Sequence, residues 1–197
     1  MADVGVRSVA ESQLRDRVAA AVSPAGDTSA RISSFPFIAR LLLSGDVSRI
    51  TVAAADVTVE DLTLARVALD LRDVTLDRDR LVSDQTVVLE DLGRGTAEAV
   101  VTQEQLSDRL EVAVTLDDGQ ARVRVAGQTL SAQAWVSENT LRVEVAGYDL
   151  PPLPIPRLSL LPCVADAEIL PGRIRLTCTV DQIPPELVGR PLDQLGR

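Results

Sequence analysis

The sequence predicts an α+β fold: a long, curled antiparallel sheet wrapped around an N-terminal amphipathic helix, leaving an elongated apolar groove. Three observations lead there. Apolar side chains recur at every fourth position between Val6 and Val18, and from Ile50 to Leu76 the period changes to two. The chain is 46% hydrophobic but only 2% aromatic, so its apolar material is valine, leucine, alanine and isoleucine, which suits strands better than aromatic ligand cages. At 197 residues a single domain over 1–197 is expected, long enough to bury about two-thirds of its unfolded surface without a metal.

Val6 to Val22 reads as the amphipathic helix. Val6, Ala10, Leu14 and Val18 share a face, Arg7, Glu11, Arg15 and Asp16 lie elsewhere, and Ser23-Pro24-Ala25-Gly26-Asp27 ends it with turn residues. The stretch FPFIARLLLSG, from Phe35 to Gly45, holds both phenylalanines of the chain and reads as a second, shorter helix. Pro36 suits its first turn and Gly45 its C-terminus. Phe35, Ile38, Leu41 and Leu42 are expected on one face with Phe37 and Leu43 off it, an apolar stripe wide for so short a helix. A core helix and a wall that touches something other than protein both explain that stripe.

Between Ile50 and Leu76 the alternation changes parity: Ile50, Val52 and Ala54, then Val57 and Val59, Leu62 and Leu64, and Val67, Leu69 and Leu71. Such flips predict bulges or tight turns that re-aim a half-buried ribbon. Asp77-Arg78-Asp79-Arg80 reads as a solvated loop. Thr102-Gln103-Glu104-Gln105 is a capping box, with Val101 and Leu106 as a hydrophobic staple, and predicts a helix over Gln103–Leu110. Strands follow at Val112–Leu116, Ala121–Val125, Ala132–Val136 and Leu141–Val145, with turns at Asp118-Gly119 and Glu138-Asn139. Ile174, Leu176, Cys178 and Val180 alternate on one face of a further strand.

LPPLPIPRLSLLP, Leu150 to Pro162, has too many prolines for a helix or a central strand. It reads as an extended strap lined by Leu153, Ile155, Leu158, Leu160 and Leu161. Trp135, among small residues in AQAWV, fits sheet-face packing or a pocket, and Tyr148 fits a corner or a pocket mouth. Cys163 and Cys178 flank a turn at Pro171-Gly172. Their spacing fits no metal or redox motif, and a hairpin-bridging disulfide and two buried thiols both remain open.

The chemistry available is narrow. Histidine is absent, which removes Ser-His-Asp and Cys-His nucleophile pairs and almost all zinc sites. Adjacent acidic pairs such as Glu60-Asp61, Glu90-Asp91 and Asp117-Asp118 look like solvated turns. No phosphate-binding glycine loop, nucleophile elbow or calcium loop occurs, so no catalytic residue, metal or cofactor is expected. All basic residues are arginine, and the net charge of −9 speaks against nucleic acid and against a polybasic membrane surface. An aliphatic sheet curled around a helix encloses space suited to acyl chains, which have no polar groups to be read. The opening MADVGVRSVAE contains no long apolar run of the kind a signal peptide or membrane span requires.

The combination of AESQLRDRV, ISSFPFIARLLLSGDVSRITV and DVTVEDLTLARVALDLRDVTL resembles the LmeA-like phospholipid-binding family of actinobacteria, and YDLPPLPIPRLSLLP and the two cysteines also fit it. The resemblance runs from about Val6 to Arg190. It implies a fold similar to the tubular lipid-binding superfamily and a protein of the periplasm or cell envelope, outside the cytoplasmic membrane, usually preceded by an N-terminal hydrophobic segment that supplies membrane association. It implies a non-enzymatic carrier of phospholipid, including phosphatidylinositol species, that supports mannan elongation on envelope lipoglycans, with an envelope mannosyltransferase as partner. No family motif carries site residues over. The greasy segments supply the candidates: Phe35, Phe37, Ile38, Leu41, Leu42, Trp135, Tyr148, Leu153, Ile155, Leu158 and Leu160, with a Cys163–Cys178 disulfide. The rival reading is a scaffold module for an envelope enzyme that binds no lipid.

Overall fold

The computed structural model describes residues 2–22, 25–59, 62–84, 86–137, 140–145, 148–154, 165–183, 185 and 188–189. The fold is α+β, built mainly of antiparallel strands. Among the described residues the helices are α1 (Ala2–Val22), α2 (Phe37–Ser44), α3 (Arg78–Ser83) and α4 (Gln103–Leu110). The strands are β1 (Thr28–Ile32), β2 (Asp46–Val59), β3 (Leu62–Leu76), β4 (Leu89–Thr102), β5 (Ala113–Asp117), β6 (Gln120–Val125), β7 (Gln128–Ser137), β8 (Thr140–Val145), β9 (Tyr148–Asp149), β10 (Leu153–Pro154), β11 (Asp166–Leu170) and β12 (Arg173–Val180).

The strands divide into two sheets where one was expected. The first has the order β1-β2-β3-β4-β12-β11; the second runs β10-β8-β7-β6-β5, with β9 also on β8. Each sheet buries one face against the other. Leu62, Leu64, Val101, Ile174 and Leu176 of the first sheet share a core with Val114, Val123, Leu141, Val143 and Val145 of the second, and Leu106 and Leu110 of α4 complete it. The α4 capping box forms as expected: Thr102 Oγ1 accepts from Gln105 N, and Gln105 Oε1 accepts from Thr102 N.

A second core lies at the other end of the first sheet, where Phe37 packs with Ile32, Val47, Val74, Leu76, Leu89, Leu92, Ala97 and Ile183. Helix α1 packs on β1, β2 and α2 at this sheet's edge. Glu11 accepts the outward N–H of Ile32 at 2.8 Å, so the helix satisfies an edge donor that no strand reaches.

The parity flips of the ribbon have a structural cause. Inward positions skip from Val47 to Ile50 in β2, from Leu71 to Val74 in β3 and from Leu92 to Gly95 in β4, and the register sets Ser48, Asp73 and Gly93 side by side. Asp73 has φ 51°, in the left-handed region, and so does Asp56, which sits at the flip between Ala54 and Val57. Two expectations are corrected here. Asp77-Arg78-Asp79-Arg80 opens the short helix α3, because the Asp77 carboxylate accepts from Arg80 N and caps it. Leu89–Thr102, not read as a strand, is one of the longest, because its outward Glu90, Asp91, Arg94 and Glu98 mask its alternation.

Candidate functional site

Helix α2 begins at Phe37, with Pro36 as its N-cap, so Phe35 precedes the helix instead of sharing its face. The apolar stripe therefore rotates from the expected one. Phe37, Ile38 and Leu41 turn to the second core, while Phe35 (83% exposed), Leu42 (50%) and Leu43 (77%) face outward. Gly45 closes the helix at φ 76°, its N–H donating to the Leu41 carbonyl and its own carbonyl accepting from Leu76 N at 3.0 Å. A Cβ there would collide with the Leu76 carbonyl oxygen, which is why glycine stands at this position.

The other sequence candidates lie elsewhere. Trp135 is 38% exposed on β7 opposite Arg142, on the wet face of the second sheet. Leu153 is fully buried in the core between the sheets, opposite Leu141. Tyr148 pairs with Val145 through β9. Ile155, Leu158, Leu160 and Cys163 fall outside the described residues, as does the turn at Glu138-Asn139. Cys178 is not a free thiol. The structure thus brings Phe37, Ile38 and Leu41 together, and separates them from Trp135 and Leu153.

What it does assemble is a set of aliphatic rows across the inner face of the first sheet. Directly opposed residues of antiparallel strands share a face. One row reads Ile50, Leu71, Gly95, Val180; the next Val52, Leu69, Ala97, Cys178; the next Ala54, Val67, Ala99, Leu176. At usual strand spacing each row from β2 to β12 is about 14 Å wide. These rows run across the junction of the two cores: Leu176, Val67 and Ala99 pack with the one under the second sheet, and Ala97, Ile50, Leu69, Leu71 and Val180 with the one that holds Phe37. Ile50, Val67, Leu69, Leu71, Ala99, Cys178 and Val180 are only half-buried, whereas Val101, Ile174, Val47 and Val74 at the two ends are closed off. Sequence reasoning placed Val67, Leu69 and Leu71 on the dry face of a strand but did not single them out. Period-two alternation is the same for a covered row and a half-covered one.

The opposite face of this sheet is polar and organised by arginine. Asp70 accepts Arg49 Nε at 2.7 Å and Arg49 Nη2 at 2.8 Å, and also accepts Arg72 Nη2 at 3.1 Å. The Arg49 hydrogen bonds hold the Asp70 carboxyl below its usual range, against an opposing push from burial, and Asp70 in turn raises Arg49. Beside them lies a depression of about 390 Å³ lined by Ser29, Ala30, Arg31, Ser33, Arg49, Thr51, Ala53 and Arg66. Among the described residues no cluster of potential ligands could hold a metal ion, and no helix is long and apolar enough to cross a membrane.

Two facing sheets, the first with middle rows that are only half-buried, define an α+β protein with an aliphatic inner face. The chain belongs to the LmeA-like phospholipid-binding family, whose model matches residues 1–197. Comparison with curated proteins and with solved structures returned no match.

Proposed function

We propose that the protein binds a phospholipid by laying acyl chains across the half-buried rows of Val67, Leu69, Leu71, Ala99 and Val180. The observation that carries this reading is the incomplete cover over those rows in a member of a phospholipid-binding family. Each methylene removed from water contributes roughly 0.8 kcal/mol, so partial burial of two chains gives useful affinity without any charged contact. The mechanism is desolvation, and it requires no catalytic group.

The rows would be the floor of the elongated groove, with Ile38 and Leu41 of α2 at one end, while Phe35 and Leu42 face away from it. In the same reading the protein works outside the cytoplasmic membrane, as a carrier or presenter of phosphatidylinositol-type lipid for mannan elongation on envelope lipoglycans. A mannosyltransferase receives the lipid, and an apolar segment N-terminal to this domain supplies membrane attachment. A Cys163–Cys178 disulfide fits that oxidising setting. An intact mass lighter by two hydrogens than the reduced chain would establish the bond, and a fully reduced mass from the native envelope would remove it.

Native mass spectrometry of the purified protein, followed by organic extraction, tests the main reading. A stoichiometric adduct with the mass of a diacyl phospholipid supports it and identifies the cargo. A mass that stays unliganded after incubation with phosphatidylinositol vesicles would replace it with the scaffold reading.

A further inference from the structure

The arginine-lined depression lies on the face of the first sheet opposite the aliphatic rows, because Thr51 and Ala53 alternate along β2 with Val52 and Ala54. Small side chains make its floor: Ser29 stands opposite Ala53, and Ala53 opposite Ala68. Arginines make its rim. Arg49 marks one end, and Arg66, opposite Ala55, marks the other, about 20 Å along the strand. Arg31 stands between them, opposite Thr51.

Arg31 and Arg66 form no side-chain hydrogen bond or ion pair among the described residues, although the chain carries 29 acidic residues against 20 basic ones. None of the eight lining residues is acidic. Arg49 commits Nε and Nη2 to Asp70, which fixes its plane and leaves Nη1 to donate elsewhere. The single Asp70 carboxylate answers both Arg49 and Arg72, so the patch keeps a positive excess on an acidic protein. The hydroxyls of Ser33 and Thr51 add neutral donors at the wall. A volume of about 390 Å³ is within the roughly 300–1,000 Å³ usual for small-ligand sites. Planar guanidinium groups grip the oxygens of phosphate bidentately, as they do those of a carboxylate, and several of them together suit the higher charge of a phosphate ester.

We propose that this depression is a second binding site, one that takes a phosphate ester, with Arg31 and Arg66 as the gripping residues and Arg49 as a pre-set third donor. It is separated by the thickness of the sheet from the acyl rows and does not depend on them. The phosphate comes from a water-soluble ester or from a lipid headgroup at a bilayer surface, and the experiment distinguishes the two.

Isothermal titration of the full chain with glycerol 3-phosphate, and co-sedimentation with vesicles of equimolar phosphatidylglycerol and phosphatidylcholine, would be run on the native protein and on Arg31→Gln/Arg66→Gln. Both positions are exposed on a wet face, so the double variant is expected to keep its circular dichroism and thermal midpoint. Binding of glycerol 3-phosphate that weakens by roughly tenfold or more in the variant supports the site with a soluble ester. Binding to vesicles alone, weakened likewise, supports it with a headgroup. In either case amide shifts in the native protein should move at Ser29, Ser33 and Thr51. Binding of neither probe, or equal binding by the folded double variant, overturns the proposal.

Discussion

Asp73, held at φ 51°, lies beside Gly93 of the neighbouring strand so closely that a Cβ on Gly93 would stand 2.9 Å from the Cβ of Asp73. The pair marks the level at which β2, β3 and β4 all change the parity of their inward residues. Gly93→Ala therefore has to push apart two backbones inside a six-stranded sheet. The expected cost is about 1–3 kcal/mol, the range for overpacking, read as a lower urea midpoint with an unchanged slope. A neutral Gly93→Ala would show that this part of the sheet is free to relax.

The aliphatic rows give a direct test of lipid retention. Leu69 is half-buried between Val52 and Ala97, in the middle of the rows. Leu69→Trp fills the space above the sheet while leaving the face apolar. Lipid recovered by native mass spectrometry should fall severalfold while the circular dichroism spectrum persists. Trp135→Ala, on the wet face of the second sheet, should leave retention unchanged.

Asp70 ties a small part of stability to acid. Its carboxyl is lowered chiefly by the hydrogen bonds from Arg49, so its contribution is fully present above the usual carboxylate range near about pH 4. That contribution is lost as pH falls through the lower native value. Thermal midpoints of the native protein and Asp70→Asn should therefore differ modestly at neutral pH and converge in strong acid, below both values. A gap that widens in acid would contradict the assignment. The gap should also shrink at high salt, because the groups are accessible to solvent.

Thr102 is the N-cap of α4, and its hydroxyl takes the Gln105 N–H at 3.3 Å while the Gln105 side chain returns the bond at 2.9 Å. Thr102→Ala removes one half of this box above a helix that buries Leu106 and Leu110 between the sheets. Chemical denaturation should show a loss of about 1 kcal/mol. Thr102→Ser should recover most of it.

That box was readable residue by residue, because a cap is a contact between neighbours in the chain and its chemistry is local. The same holds for β5, β6 and β8, whose bounds differ from expectation by only a residue or two at each end, and for the Gly45 stop. It holds for the parity flip between Ala54 and Val57 as well, although nothing in the sequence names Asp56 as the residue that turns; the flip at Asp73 was not expected. Family membership was equally legible, carried by FPFIARLLLSG and the flanking strands and matched over the whole chain.

The tertiary structure alone decided the rest. Two sheets in place of one, and the rotation of α2 that buries Phe37 and exposes Phe35, depend on which surfaces meet, and burial is a relation between segments far apart in sequence. Leu64 and Leu69 both stand on the inward face of β3, on either side of a parity flip, yet the second sheet seals the first and leaves the second half-buried. Arg49 and Arg66 look alike in the sequence, and only the register of β2 on β3 supplies Arg49 with a carboxylate, while Arg66 has no such partner among the described residues. Periodicity determines which face of a strand is dry; what lies over that face is set by packing, and so is the place where a ligand can enter.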